Sequence, residues 1–268
     1  MDYKQVIPGR QGLIGLLANL QVKNLIPEQF RPIGYLNHLT KKKTGKQVRL
    51  GPFEGMRYVD VSQGSCYIPK LLGIYERELH EVVEDLIAAR PLTVVDLGAA
   101  EGYYAIGLAR RLPETRVVAF EMEERGRTAL AAMAALNNVA GRVVVRGKCE
   151  ADDLRAVLDE SKNPAVICDV EGYEDVLLDP GAVPSLAETR ILVELHDFIV
   201  PGLCERLTQR FSPTHEVERI WQADRSTSEF PWTTLGTRLI PHEYLVWAVN
   251  EWRPVRMSWL SMVPKKQP

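Results

Sequence analysis

From Leu92 onward, short apolar runs rich in β-branched residues alternate with segments whose apolar positions recur every three or four residues. The first pattern marks strands, the second amphipathic helices. It predicts strands over 93–97, 117–121, 142–146, 165–170 and 190–195, with helices over 103–112, 124–136 and 153–160 between the first four. Runs such as Val117-Val118-Ala119-Phe120 and Ala165-Val166-Ile167-Cys168 are apolar without alternation, as strands covered on both faces must be. Strands and helices in this order fold as a parallel sheet between helical layers, so the expected class is a doubly wound, Rossmann-like α/β fold. The tail continues with a helix over 203–211, a strand over 216–221, a helix over 243–252 and a strand over 257–263. These read as two further strands closing one edge of the same sheet.

Before residue 92 the rhythm is weaker, and Gly9, Pro27, Pro32, Gly45, Gly51, Pro52, Gly55 and Gly64 punctuate the chain. Residues 48–50 and 56–61 flank Gly51-Pro52-Phe53-Glu54-Gly55 and predict a small hairpin. The basic run Lys41, Lys42, Lys43, Lys46 and Arg49 reads as a solvated loop, and Leu79, Val82, Val83, Leu86 and Ile87 predict a helix over 79–89.

Composition narrows the class of partner. The 268 residues carry 33 Lys and Arg against 35 Asp and Glu, a net charge of −2, which excludes a general nucleic-acid binder held by released phosphate counterions. Four dispersed cysteines, Cys66, Cys149, Cys168 and Cys204, form no C-x-x-C pair, so a reducing, cytoplasmic setting is expected. Leu13 to Leu20 is broken by Gly15 and Asn19 and is too short to cross a bilayer, so no membrane partner is expected.

The segment Val94-Val95-Asp96-Leu97-Gly98-Ala99-Ala100-Glu101-Gly102 carries the most chemistry: a buried strand ends in a glycine turn and a helix begins. Glycines there let the backbone turn sharply and let a nucleotide lie close to the main chain. A dinucleotide site needs G-x-G-x-x-G, with the second glycine admitting a pyrophosphate against the helix N-terminus. Here Ala100 holds that position, and Asp96 and Glu101 flank the turn with negative charge. That charge repels a diphosphate and attracts ammonium and sulfonium groups, as carried by S-adenosylmethionine. Glu121 ends the second strand, where a doubly wound fold places the carboxylate that accepts from ribose hydroxyls. Glu150, after the third strand, is a candidate acceptor for the adenine amino group.

The carboxyl ends of strands four and five hold a second constellation. Period-two alternation puts Asp169 and Glu171 on one side of strand four and pairs Glu194 with His196 on strand five. His196 is the candidate general base, since an imidazole titrates near neutral pH. Asp169 is assigned to position the acceptor or the methionine ammonium, and Glu171 to orient His196. A divalent metal on Asp169, Glu171, Glu194 and His196 is an open variant, although the spacing matches no known metal motif. Glu174, at the start of the next helix, reads as a complement to its dipole.

These segments resemble the class I S-adenosylmethionine-dependent methyltransferases. Cys168-Asp169-Val170-Glu171-Gly172-Tyr173-Glu174 resembles the D-x-E-G-x-E signature of the FkbM-type family, and Val193-Glu194-Leu195-His196 its strand ending in E-x-H. Gly73-Ile74-Tyr75-Glu76-Arg77-Glu78 resembles the family's G-x-Y-E-x-E segment, from which Tyr75 and Glu76 would reach the methionine end of the cofactor. The resemblance covers about residues 70 to 265. It implies a seven-stranded sheet with one antiparallel strand, and O-methylation of a hydroxyl on a small molecule or sugar. Gly98, Ala100 and Gly102, with Asp96 and Glu121, would hold the cofactor. Residues 70–268 would form the cofactor-binding domain, and 1–69 an N-terminal extension of hairpin and helices, open to a role as substrate lid or in oligomerisation; a homodimer stays open. Two other functions compete, an NAD-dependent oxidoreductase and a non-catalytic module that keeps the cofactor fold. Ala100 in place of the second glycine disfavours the first. The absence of an N/D-P-P-Y/F loop disfavours nucleobase amine methylation.

Overall fold

A computed structural model of the chain describes residues 31–60, 62 and 66–265. They divide into two compact units. One comprises the described residues up to Tyr75 together with Asp224–Trp252, the other Glu76–Ala223 with the described residues from Arg253 onward. The segment Leu13 to Leu20 lies outside the described residues.

The second unit is the doubly wound fold. Its elements are α1 His80–Ala88, β1 Thr93–Leu97, α2 Tyr103–Arg111, β2 Arg116–Phe120, α3 Glu124–Leu136, β3 Val143–Arg146, α4 Ala151–Asp159, β4 Pro164–Cys168, α5 Glu174–Leu177, β5 Arg190–Glu194, α6 Leu203–Phe211, β6 His215–Trp221 and β7 Ser258–Pro264. The strands form one seven-stranded sheet in the order β3-β2-β1-β4-β5-β7-β6. Strand β7 runs antiparallel to β5 and β6, while the pairs among β1 to β5 are parallel. All five residues of β1 are buried, as its unbroken apolar run requires. The chain winds outward from β1 through β2 to β3 and then crosses back to β4, so the strand order reverses between β1 and β4. Ligands in open α/β sheets bind beyond the carboxyl ends of the strands at that reversal.

Two boundaries differ from the sequence pattern in ways that affect the site. Strand β4 stops at Cys168, because the backbone turns left-handed at Glu171 (φ 52°) and Gly172 (φ 103°). Asp169 continues the pairing by donating its N–H to Leu97 O at 2.9 Å. Strand β5 stops at Glu194, so His196 lies on the loop beyond it. Period-two alternation therefore does not operate as far as Glu171 and His196.

The first unit has its own small core, with Leu36, Leu39, Ile68, Leu72 and Ile74 packed with Phe230, Ala248 and Val249. Its helix Pro32–Thr44 corrects the loop expected for the basic run: Lys41, Lys42 and Lys43 form the last helical turn, where positive charge meets the carbonyl end. Pro32 at its start and Gly45, left-handed at φ 61°, at its end bound the helix. The expected hairpin reduces to one bridge, Gln47 with Arg57, supported by Val48 N–H to Met56 O at 2.8 Å. The helix expected over 243–252 is His242–Val249 and belongs to this unit rather than to the sheet. Arg225 and Glu251 pair near the two ends of Asp224–Trp252, both buried. No helix among the described residues is long and apolar enough to cross a membrane.

Buried His215, at the head of β6, holds Thr189 O through Nε2 at 2.8 Å, and burial pulls its pKa below the usual histidine value. A depressed native pKa means that the unfolded chain binds the proton first, so this contribution is complete above about pH 6.5 and is lost as pH falls through the lower native value. Thermal melting of the wild type between pH 7.5 and 5 should therefore fall more steeply than that of His215→Gln. Parallel curves would remove His215 as the cause.

Candidate active site at the carboxyl end of the sheet

The turn between β1 and α2 is held by its own hydrogen bonds. Gly98 and Ala99 donate their N–H groups to Phe120 O at 2.9 and 3.0 Å, and Gly102 donates to Ala99 O at 2.7 Å. Ala100, left-handed at φ 47°, donates to Glu121 Oε2 at 2.8 Å, while Glu121 Oε1 accepts from Glu123 N–H at 2.7 Å. Glu121 is thus buried and fixed by two backbone amides, with lone pairs on each oxygen left over for further donors. Gly98 is required by space as well as by its φ of 81°: a Cβ there would lie 1.7 Å from Asp169 O.

Asp96 is the buried carboxylate at the carboxyl end of β1. Desolvation pushes its pKa up to about 7 against a hydrogen bond from the Ala105 amide, and the charges of Asp169, Glu121 and Glu76 add to the rise. Beside it stands a network that the sequence pattern did not reveal. Arg253, just before β7, pairs with both Glu76 and Glu194, and Glu76 also accepts from the Tyr104 hydroxyl on α2. Burial and the neighbouring charge of Asp169 still hold Glu194 well above the usual carboxylate range, opposed by Arg253.

A second cluster forms around His196, of which only 2% is exposed. Its Nδ1 meets Glu174 Oε1 at 2.6 Å, and the same oxygen accepts from Gly172 N–H at 3.1 Å. Its Nε2 faces Asp169 Oδ1 at 3.6 Å and Glu171 Oε2 at 3.4 Å. Desolvation lowers the His196 pKa, but Glu174, Asp169 and Glu171 outweigh it and the net shift is upward. Asp169 is raised to about 6, chiefly by desolvation, with His196 and Arg253 opposing.

The structure brings Asp169, Glu171 and His196 together, although the alternation that suggested their grouping ends before Glu171 and His196. The carboxylate at His196 Nδ1 is Glu174, while Glu171 lies on the Nε2 side. Glu194 leaves the constellation, because Arg253 takes its carboxylate. Glu174 was visible as the last acid of Asp169-Val170-Glu171-Gly172-Tyr173-Glu174; Arg253 had no local signal, being 59 residues from Glu194. Glu150 is exposed, paired with Lys148 at 2.6 Å and with the Tyr173 hydroxyl at 3.0 Å, and it caps α4. Tyr75 lies in the first unit, with the Lys70 ammonium 4.9 Å from its ring centroid.

No model of a known protein family matches the chain, and no curated protein matches it. Solved structures do. One is an O-methyltransferase from Bacillus cereus in complex with SAH, at 15% identity and a TM-score of 0.45, covering 92% of this chain and 97% of that one. Another is the O-methyltransferase TomG from Streptomyces achromogenes, involved in tomaymycin synthesis and in complex with SAM, at 13% identity and a TM-score of 0.44, covering 92% and 96%. A third is the precorrin-6Y C5,15-methyltransferase from Geobacter metallireducens GS-15, at 17% identity and a TM-score of 0.41, covering 53% and 76%. At this level of likeness, what those proteins bind and act on does not transfer to this chain.

Because the Gly98 position abuts backbone and not a movable side chain, Gly98→Ala should destabilise the fold by roughly 3 kcal/mol or more. Denaturant unfolding of the variant checks this, and a loss below about 1 kcal/mol would show that the turn can move away from Asp169.

Proposed function

We propose that the chain is an S-adenosylmethionine-dependent O-methyltransferase acting on a hydroxyl of a small molecule or sugar, related in its motifs to the FkbM-type family. The observation that carries the reading is a surplus of buried negative charge where the ligand of such a fold binds, with Asp96 held up to about 7. A ligand bearing ammonium and sulfonium charges relieves that surplus. A dinucleotide would worsen it, and the amides of Gly98, Ala99, Ala100 and Gly102 that a diphosphate needs are given to Phe120, Glu121 and Ala99. This supports the methyl donor over the NAD-dependent alternative.

When bound, S-adenosylmethionine supplies an electrophilic methyl carbon. Asp96 would take its ammonium, Glu121 would accept from the ribose hydroxyls, and Gly98, Ala100 and Gly102 would let the adenosine lie against the main chain. Glu76 acts at the methionine end through Arg253 and Tyr104, and Glu150 stands at the adenine end with Lys148 and Tyr173. Displacement at carbon demands alignment above all, and a hydroxyl acceptor must also lose its proton. The cluster of His196, Asp169 and Glu171 is where that proton leaves, with Nε2 as the basic atom and Glu174 fixing the ring. The open carboxylates of this cluster also position the acceptor hydroxyl.

Two measurements test the reading. Calorimetric titration with S-adenosylmethionine should give a complex that Glu121→Ala weakens roughly 10- to 100-fold, the worth of charge-assisted hydrogen bonds of about 1.5–3 kcal/mol. Tight binding of NAD without S-adenosylmethionine binding would overturn it. Below about pH 7 Asp96 is protonated in the free protein, so a cationic ligand must expel that proton. Affinity should then fall up to about tenfold per pH unit between 7 and 5.5, and Asp96→Asn should flatten the profile. A profile unchanged by Asp96→Asn would place the ammonium elsewhere.

A further inference from the structure

We infer that His196, Asp169 and Glu171 form a binding site for a first-row divalent cation of the Mn²⁺ or Zn²⁺ kind. The inference deepens the methyl-transfer reading by giving the acceptor hydroxyl a Lewis acid, and it rests on that reading only for this last step.

The argument starts from the imidazole tautomer. Glu174 Oε1 already accepts from Gly172 N–H, and a carboxylate oxygen so placed accepts again from His196 Nδ1–H at 2.6 Å. In the neutral ring the other nitrogen, Nε2, then carries a lone pair. It points at two carboxylate oxygens 3.4 and 3.6 Å away, beyond hydrogen-bond length, and Asp169 Oδ1 is a buried atom with no hydrogen-bond partner. In that state three electron-pair donors converge, and they repel one another unless a cation, either a proton on Nε2 or a metal ion, stands between them. His196 is 98% removed from solvent, so it cannot swing away to relieve the conflict.

The geometry suits a metal ion. The three ligand atoms all lie within 4.8 Å of one another. Ligands at about 2.0–2.2 Å from a tetrahedral ion stand roughly 3.3–3.6 Å apart, which is the separation of Nε2 from both carboxylates. The Glu171 side chain is 78% exposed and closes the remaining edge by rotation. One imidazole nitrogen with two carboxylate oxygens favours Mn²⁺ or Zn²⁺ over Mg²⁺ or Ca²⁺, which prefer oxygen alone. Glu174 supplies the carboxylate behind a ligating histidine that fixes its ring and raises its basicity. Three protein ligands leave a position open, as in sites where metal ions act on substrates. An acceptor hydroxyl in that position would form an oxygen–metal bond while its O–H bond breaks, the proton leaving to solvent water. His196 then serves as ligand to the ion, and Nε2 takes the proton directly only when no ion is bound.

The test uses the full chain, stripped with chelator and titrated with Mn²⁺ alone, followed by calorimetry and by the Mn²⁺ spin-resonance signal. One ion per chain at micromolar affinity is expected, with Mg²⁺ and Ca²⁺ at least tenfold weaker. Asp169→Asn and His196→Gln should each weaken uptake tenfold or more. Glu171→Gln, an exposed change that leaves the core intact, should do so with unaltered melting, and the remote surface variant Asp152→Asn should bind as the wild type does. No uptake at about 1 mM by a folded chain, or uptake indifferent to Glu171→Gln and Asp169→Asn, would overturn the site. Because no cofactor is present, a chain that binds Mn²⁺ but not S-adenosylmethionine keeps the ion site and loses the methyl-transfer reading.

Discussion

Negative charge held out of water at the carboxyl end of the sheet is the constraint around which the larger unit is arranged. Asp96 and Glu194 are buried, Asp169 is half-buried, and all three are held above their ordinary pKa by desolvation and by neighbouring carboxylates, Glu76 among them in each case. An uncompensated buried ion costs several kcal/mol, so such a crowd persists only with partners. Arg253 serves Glu76 and Glu194 at once and stands within the field of Asp169, and His196 serves Glu174. These partners tie together the segment before α1, the end of β5 and the approach to β7, which lie far apart in sequence. The same charges that hold these segments in register leave the site short of positive charge.

The turn after β1 makes the complementary choice. A phosphate-binding loop keeps its amides free and aims them at the ligand. This loop spends them on Phe120, on Ala99 and on the side chain of Glu121, which locks the second strand's acidic end to the turn. Neutralising Glu121 would therefore loosen the loop as well as remove an acceptor, and the two effects share one residue.

Much of this was legible in the sequence, for identifiable reasons. Strands β1, β2 and β4 are buried on both faces, so their apolar runs stand out, and α3 matches residue for residue because alanine and leucine fill it between a charged start and Asn137-Asn138. The pairing of Asp169 with His196 was also visible, since adjacent strand ends must lie side by side. The division of labour among the carboxylates was not, because it depends on which cation each one meets. Arg253 lies beyond the Asp224–Trp252 excursion into the other unit, and no spacing rule connects it to Glu194. The helix Pro32–Thr44 was masked by its run of lysines, which reads as a loop unless the proline and glycine at its ends are weighed first.

Three strained backbone positions stand at the same edge. Glu76, Ala100 and Glu171 adopt left-handed φ values of 47°, 47° and 52° without being glycine, each at a cost of roughly 1–2 kcal/mol. Such conformations persist where surrounding contacts over-determine them, and at each of these three a contact is identifiable. Glu76 is turned so that its carboxylate reaches Arg253 and Tyr104, and Ala100 so that its amide reaches Glu121. Glu171 is turned so that its carboxylate faces Nε2 of His196 at 3.4 Å. A strand continuing past Cys168 with ordinary alternation would not need this turn. The chain accepts the strain and places an oxygen against Nε2, an arrangement that is favourable once a cation, the ring's own proton or a metal ion, stands between them.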